Sequence, residues 1–159
     1  MNTLTDTLLK EPIGLDRLQA SDVSSYTPGD IRQSIAELVA QNSLALAEAL
    51  TDAGLSLYPK NEEILAIAAL LAEVREDWGT AAVLLRQLVE VQGPHNTPTT
   101  TWIHLVRVLR CMCEPKQALE SVEMALSHHP NDAVLQNEKT SLSTLFDSMS
   151  DVHLARDAA

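Results

Sequence analysis

Aromatic residues are nearly missing from this chain, at 3% of 159 residues with a single phenylalanine. The apolar share is still 45%, and Ala and Leu carry most of it, residues that helices favour and strands do not. This composition points to an all-α protein, and the length to one domain with room for a sizeable core. Basic residues are scarce too, 11 against 22 acidic ones for a formal net charge of −11. Without a basic face a chain cannot neutralise phosphates, which argues against nucleic acid as a partner. No apolar run approaches the roughly 20 residues of a membrane span. The opening MNTLTDTLLKEPIG has neither the basic start nor the apolar stretch of an export signal. The expectation is a cytoplasmic protein with no membrane partner.

Cysteine is confined to Cys111 and Cys113. Both fall in a helical pattern, where a separation of two turns the side chains to different faces, so they read as small apolar fillers in a reducing compartment. Histidines form no catalytic or metal pattern. His128 and His129 stand side by side before Pro130, where a partly charged ring suits the C-terminal end of a helix, and read as caps. His95 lies in a loop, His153 in the tail and His104 beside Arg107. No Ser, Cys or carboxylate completes a nucleophile and base by spacing. The chain therefore reads as no enzyme, with no catalytic residue, no metal ligand and no cofactor. Trp78, just before Gly79, is expected to wedge between the helices around it.

What the chain does have is a period. Ala118 opens "ALESVEMAL", Ala81 stands at the matching place in "WGTAAVLLRQLVEVQGPH", and Ala47 in "LALAEALTDAGLSLYPKN". The alanines are 34 and 37 residues apart, and Pro59 and Pro130 each follow theirs by 12, with Gly93 at that place between them. The three extra residues fall in the turn-rich "GPHNTPTT". Each copy has an amphipathic helix before its alanine: Ile31, Ser34, Ile35 and Leu38; Leu65, Ala68, Ala69 and Ala72; Trp102, Leu105, Val106 and Leu109. A small residue where two antiparallel helices cross lets the backbones approach, and a proline stops the second helix.

The spacing of Trp102, Leu105, Val106 and Leu109 with Ala118, Val122 and Pro130 behind them resembles the tetratricopeptide repeat (TPR) family over about residues 28–132. The family's glycine slot holds Val106, Ala69 and Ile35 here, and its tyrosine slot Leu109, Ala72 and Leu38. Ser34 and Thr51 replace apolar residues in the first copy. The resemblance implies an all-α, TPR-like α-solenoid of about three antiparallel helix pairs in residues 28–147. "NDAVLQNEKTSLSTLF" supplies a C-terminal capping helix, needed because a terminal repeat would otherwise expose its apolar face. Residues 1–27 read as an N-terminal arm, partly helical or disordered: Leu4 and Leu8 share a helical face, Pro12 and Gly14 interrupt it, and Leu15 and Leu18 begin again. Residues 148–159 read as a flexible tail.

In the family the first helix of each pair lines a concave groove. On this sequence that places Arg32 and Gln33, then Glu63, Ala66, Leu70 and Glu73, then Ile103, His104, Arg107 and Arg110 along one partner-binding surface. An apolar middle with arginines at either end suits an extended or helical peptide with some acidic character. The carboxylate clamp of some family members is not reproduced, since its positions hold Arg32, Ala36, Ile67, Thr100 and His104. The expected function is a protein–protein interaction module, an adaptor or chaperone similar to the small bacterial type III secretion chaperones in size and repeat number only. The alternative is a structural subunit, for instance a homodimer, built through the N-terminal arm and the outer helices.

Overall fold

In a computed structural model, residues 3–10 and 18–157 are described, with the side chains of 4–10 and 18–149. The described residues form nine helices and no strand. α1 (Thr3–Lys10) and α2 (Ala20–Val23) precede three successive pairs. These are α3 (Pro28–Ala40) and α4 (Leu44–Leu57), α5 (Glu62–Val74) and α6 (Trp78–Gln92), and α7 (Thr99–Cys111) and α8 (Pro115–His128), followed by α9 (Ala133–Asp157). Pro12, Gly14 and Leu15, read as an interruption and restart, lie outside the described residues, as does the side chain of His153. α9 carries the helix to Asp157, past the expected boundary at 147. No described helix is long and apolar enough to cross a membrane.

The chain divides into two compact units, one ending at Val91 and the other beginning at Gln92. In the first, α3 packs on α4, and α5 packs on both. The core joins Leu4 and Leu8 of α1, Val23 of α2, Ile31, Ile35 and Leu38 of α3, Leu50 of α4, and Ile64 and Leu71 of α5. In the second unit α8 packs between α7 and α9 and buries Trp102, Leu105, Val106 and Leu109 with Val122, Leu135 and Leu142.

Local chemistry starts these helices where the sequence signals them. Thr27 and Asp30 form a reciprocal capping box before Pro28 at the first turn of α3. Asn61 accepts the Ile64 N–H to open α5, and Asp132 accepts those of Val134 and Leu135 to open α9. The three register alanines, Ala47, Ala81 and Ala118, are fully buried on α4, α6 and α8. In the first pair the polar replacements are absorbed without loss of packing: Ser34 and Thr51 are both buried, and the Thr51 hydroxyl donates to the Ala47 carbonyl at 2.7 Å. Gly54 extends the close crossing, since a Cβ there would sit 3.2 Å from Ile31 Cγ2.

The expected cysteine fillers are corrected. Cys111 and Cys113 are both exposed, and Cys113 lies beyond the helix with φ +58°. The turn that ends α7 runs outward, so neither thiol reaches a core.

That turn is itself repeated. Asn42, Glu76 and Cys113 all have φ near +58°, each at the second residue past the first helix of its pair, again 34 and 37 residues apart. Behind each, the next backbone N–H reaches five residues back: Ser43 to Leu38 O at 2.8 Å, Asp77 to Ala72 O at 2.9 Å, Glu114 to Leu109 O at 2.9 Å. The arrangement satisfies carbonyls that a helix end leaves orphaned.

A second repeated device holds the other end of a pair. The Tyr58 hydroxyl donates to the Tyr26 carbonyl at 3.1 Å, and His129 Nε2 meets the Thr97 carbonyl at 2.9 Å, both links spanning 32 residues. A carbonyl only accepts, so His129 carries its proton on Nε2. His128 packs against His95 edge to face, with ring centres 4.3 Å apart. His129 is the C-cap of α8 and His128 stands in its last turn, as read from the sequence, and both rings also fasten the loop before α7.

Candidate functional site

On the first unit, α5 presents Glu63, Ala66, Leu70 and Glu73 on one face, because steps of three, four and seven residues return to the same side of a helix. Ala66 is exposed, and Leu70 keeps 45% of its surface in solvent. Val74, one turn further, is 50% exposed and extends the stripe. Glu73 departs from the expected open surface, being only 8% exposed. Arg32 and Gln33 are exposed on α3. Arg32 Nε lies 3.2 Å from Glu63 Oε2, joining α3 to α5 at one end of the stripe. Gln33 donates to Glu37 at 3.1 Å, and the other Glu37 oxygen accepts from Thr5 of α1 at 2.5 Å.

On the second unit, α7 carries the remaining positions. Ile103 and His104 are half-buried, and Arg107 and Arg110 are exposed. Arg107 Nη2 sits 3.0 Å from His104 Nδ1; a guanidinium only donates, so the His104 ring accepts there. Arg110 reaches α9, with Nη1 2.6 Å from Glu138 Oε2. Two of the arginines expected to attract an acidic partner thus have carboxylate partners within the chain. Arg32 is answered by Glu63 within the first unit and Arg110 by Glu138 within the second. The residues missed from sequence are Val74 and the carboxylate of Glu138. Val74 was legible from its spacing of four after Leu70, whereas Glu138 is brought to Arg110 only by the packing of α9.

A separate depression of roughly 200 Å³ lies in the first unit among α4, α5 and α6. Leu55, Ala68, Leu71, Ala72 and Leu84 line it, and Glu48, Asp52, Arg75 and Asp77 stand around them. Arg75 pairs with Glu48. Burial, and then the charge of Glu48, raise the Asp52 pKa above the ordinary value, with Arg75 opposing. Asp77 moves the other way, because it accepts hydrogen bonds from Thr80 at the start of α6. Among the described residues no three His, Cys, Asp or Glu side chains gather to hold a metal ion.

No protein-family model matches this chain. No curated protein matches it. Solved structures do. A mutant of MamA superposes with a TM-score of 0.63 at 16% identity, covering 80% of this chain and 73% of its own. The structure titled MamA MSR-1 C2 superposes with a TM-score of 0.65 at 14% identity, covering 98% of this chain and 91% of its own. Identities this low speak to the fold alone. The chain has an all-α fold, a TPR-like α-solenoid of helix pairs with a closing helix, like these two structures.

Proposed function

We propose that this chain is a protein-interaction module that holds a segment of a partner protein against the first helices of the pairs in its first unit, acting as an adaptor or chaperone. The observation that carries the reading is the stripe of Ala66, Leu70 and Val74 on α5, apolar and open to solvent beside the half-exposed Arg32–Glu63 pair. Apolar side chains spaced by four along one helix match an apolar-faced partner helix, whose own residues repeat every three or four. The occupant is therefore a partner segment with an apolar helical face. A carboxylate at its end exchanges with Glu63 for Arg32, and such an exchange costs little because an exposed ion pair contributes about 0–1 kcal/mol.

A photo-crosslinking amino acid placed at Leu70 tests this, with the same group at Arg86 of α6 as the control. The expected result is one crosslinked segment of a different protein, with an apolar face, from position 70 and none from position 86. Leu70→Asp with Val74→Asp should weaken that partner's binding about tenfold or more, since charge is then forced into an apolar contact. Crosslinks only to a second copy of this chain would overturn the reading in favour of a self-assembling structural subunit.

A further inference from the structure

We propose that Cys111, Met112 and Cys113 form a binding site for a soft, low-coordinate cation of the copper(I) class, with the two thiolates and the thioether closing on one ion. Three consecutive sulfur side chains are exposed on the α7–α8 turn, Met112 with 38% of its surface in solvent. Sulfur used as core filler is buried, and none of these three is.

The backbone of the turn does not ask for sulfur. The same turn, with the same left-handed residue and the same five-residue reach-back bond, is built from Ala40, Gln41 and Asn42 in the first pair and from Val74, Arg75 and Glu76 in the second. A left-handed conformation costs a residue with a Cβ about 1–2 kcal/mol, and Gly or Asn relieves it. A thiol at Cys113 is thus unexplained by folding, and its chemistry is what the position adds.

The donor set then selects the ion. Thiolate and thioether are soft ligands that favour copper(I), whereas calcium and magnesium require oxygen. A tetrahedral zinc site needs four ligands, and the described residues gather no set of even three of the usual donors. Two thiolates on one metal lie at most about 4.6 Å apart, taking each bond as roughly 2.3 Å, and closer when a third ligand joins them. Residues two apart have Cα atoms no more than about 7.6 Å apart, so two Cβ–Sγ arms can close that gap. The flanking polar groups are already occupied: Arg110 bonds Glu138, and Glu114 accepts from Gln117 at 3.1 Å. On binding, each thiol gives its proton to solvent and the ion joins two thiolates, leaving one net negative charge. No electron moves.

The test uses the full, reduced chain without oxygen, with copper(I) supplied as its acetonitrile complex and competed against bicinchoninate. The chelator's absorbance reads how much metal the protein withholds. One equivalent per chain is expected, at unchanged mass by light scattering. The double variant Cys111→Ser with Cys113→Ser should withhold none, and Met112→Leu should bind roughly tenfold more weakly. Met124→Leu, on α8, should bind as the parent does. If the serine variant folds poorly, Cys111→Ser with Cys113→Asn suits the left-handed position and serves instead. The proposal is overturned if the folded double variant withholds a full equivalent. It is equally overturned if the parent takes half an equivalent while doubling its mass, which would place the thiolates on different copies.

Discussion

Asn42, Glu76 and Cys113 adopt the same left-handed conformation with different side chains, and the difference is measurable. Asn tolerates that region because its short amide bonds locally, while Glu and Cys meet the full clash of Cβ with the backbone. Glu76→Gly should therefore stabilise the protein by about 1 kcal/mol in urea unfolding, after the greater chain freedom of glycine is set against the relief of strain. Asn42→Gly should gain less than half of that. Equal gains would show that the strain is not in the backbone. Asp52 makes the second residue-scale prediction. Its folded pKa is raised, first by burial and then by Glu48, so ionisation is less favourable folded than unfolded. The stability it contributes is whole below the unfolded value of 3.8 and is lost as pH rises through the folded value. Asp52→Asn should accordingly raise the melting temperature at pH 7 by only a small amount, since the carboxyl is partly desolvated while most of the residue stays in solvent, which screens it. The gain should vanish below about pH 4, and a gain that persisted there would assign the effect to something other than charge. The left-handed turns were not legible in the sequence, because neither Glu nor Cys signals positive φ.

At the scale of helices, the register of small residues was legible because close crossing leaves no alternative. Ala47, Ala81 and Ala118 are buried without exception, and the period that located them also located the pairs. Ala118→Trp should cost about 3 kcal/mol by forcing α8 from its neighbours, and Gly54→Leu a similar amount through Ile31 and Ile64. Ala36→Trp, on the exposed side of α3, should cost under about 0.5 kcal/mol. Similar melting of all three would contradict the register. α9 is held by Leu135 and Leu142, both buried, and outruns α8, at about 37 Å against about 21 Å. Beyond that overlap Met149 is exposed. Removing residues 133–159 should bare the α7–α8 face and yield an aggregating protein by light scattering. A soluble, helical truncation would mean that α9 is not needed as cover. The candidate surface was half legible. Helical spacing alone placed Ala66 and Leu70 together, but the pairing of Arg32 with Glu63 and of Arg110 with Glu138 joins residues 31 and 28 apart in sequence. Helix spacing says nothing about such distant partners, which is why the arginines looked available.

For the molecule as a whole, the sequence read as one repeat domain, whereas the fold separates at Val91 and Gln92. The separation falls just before Gly93, with φ +75°, and ahead of Pro94 and Pro98, residues that break a helix and are compatible with an added loop at low cost. Periodicity is blind to this, because a repeat pattern continues across a boundary whether or not the two sides melt together. Each unit has its own buried cluster, with Ile31, Ile35, Leu50 and Ile64 in one and Trp102, Leu109, Val122 and Leu135 in the other. One tryptophan reports on each: Trp78 belongs to the first unit and Trp102 to the second. With Trp78 replaced by Phe, Trp102 fluorescence should follow the second unit alone, and with Trp102 replaced by Phe, Trp78 should follow the first. Adding Ala118→Trp would introduce a second indole beside the single probe, so Ala118→Met, smaller but still overpacked, is the better lesion for this measurement. It should lower the midpoint seen by Trp102 by about 4–8 °C for each kcal/mol lost, as expected for a unit of this size. The midpoint seen by Trp78 should hold within a degree or two. If both probes moved together, the two units would unfold as one, and the proposed partner-binding face on α5 would depend on the integrity of α7 to α9.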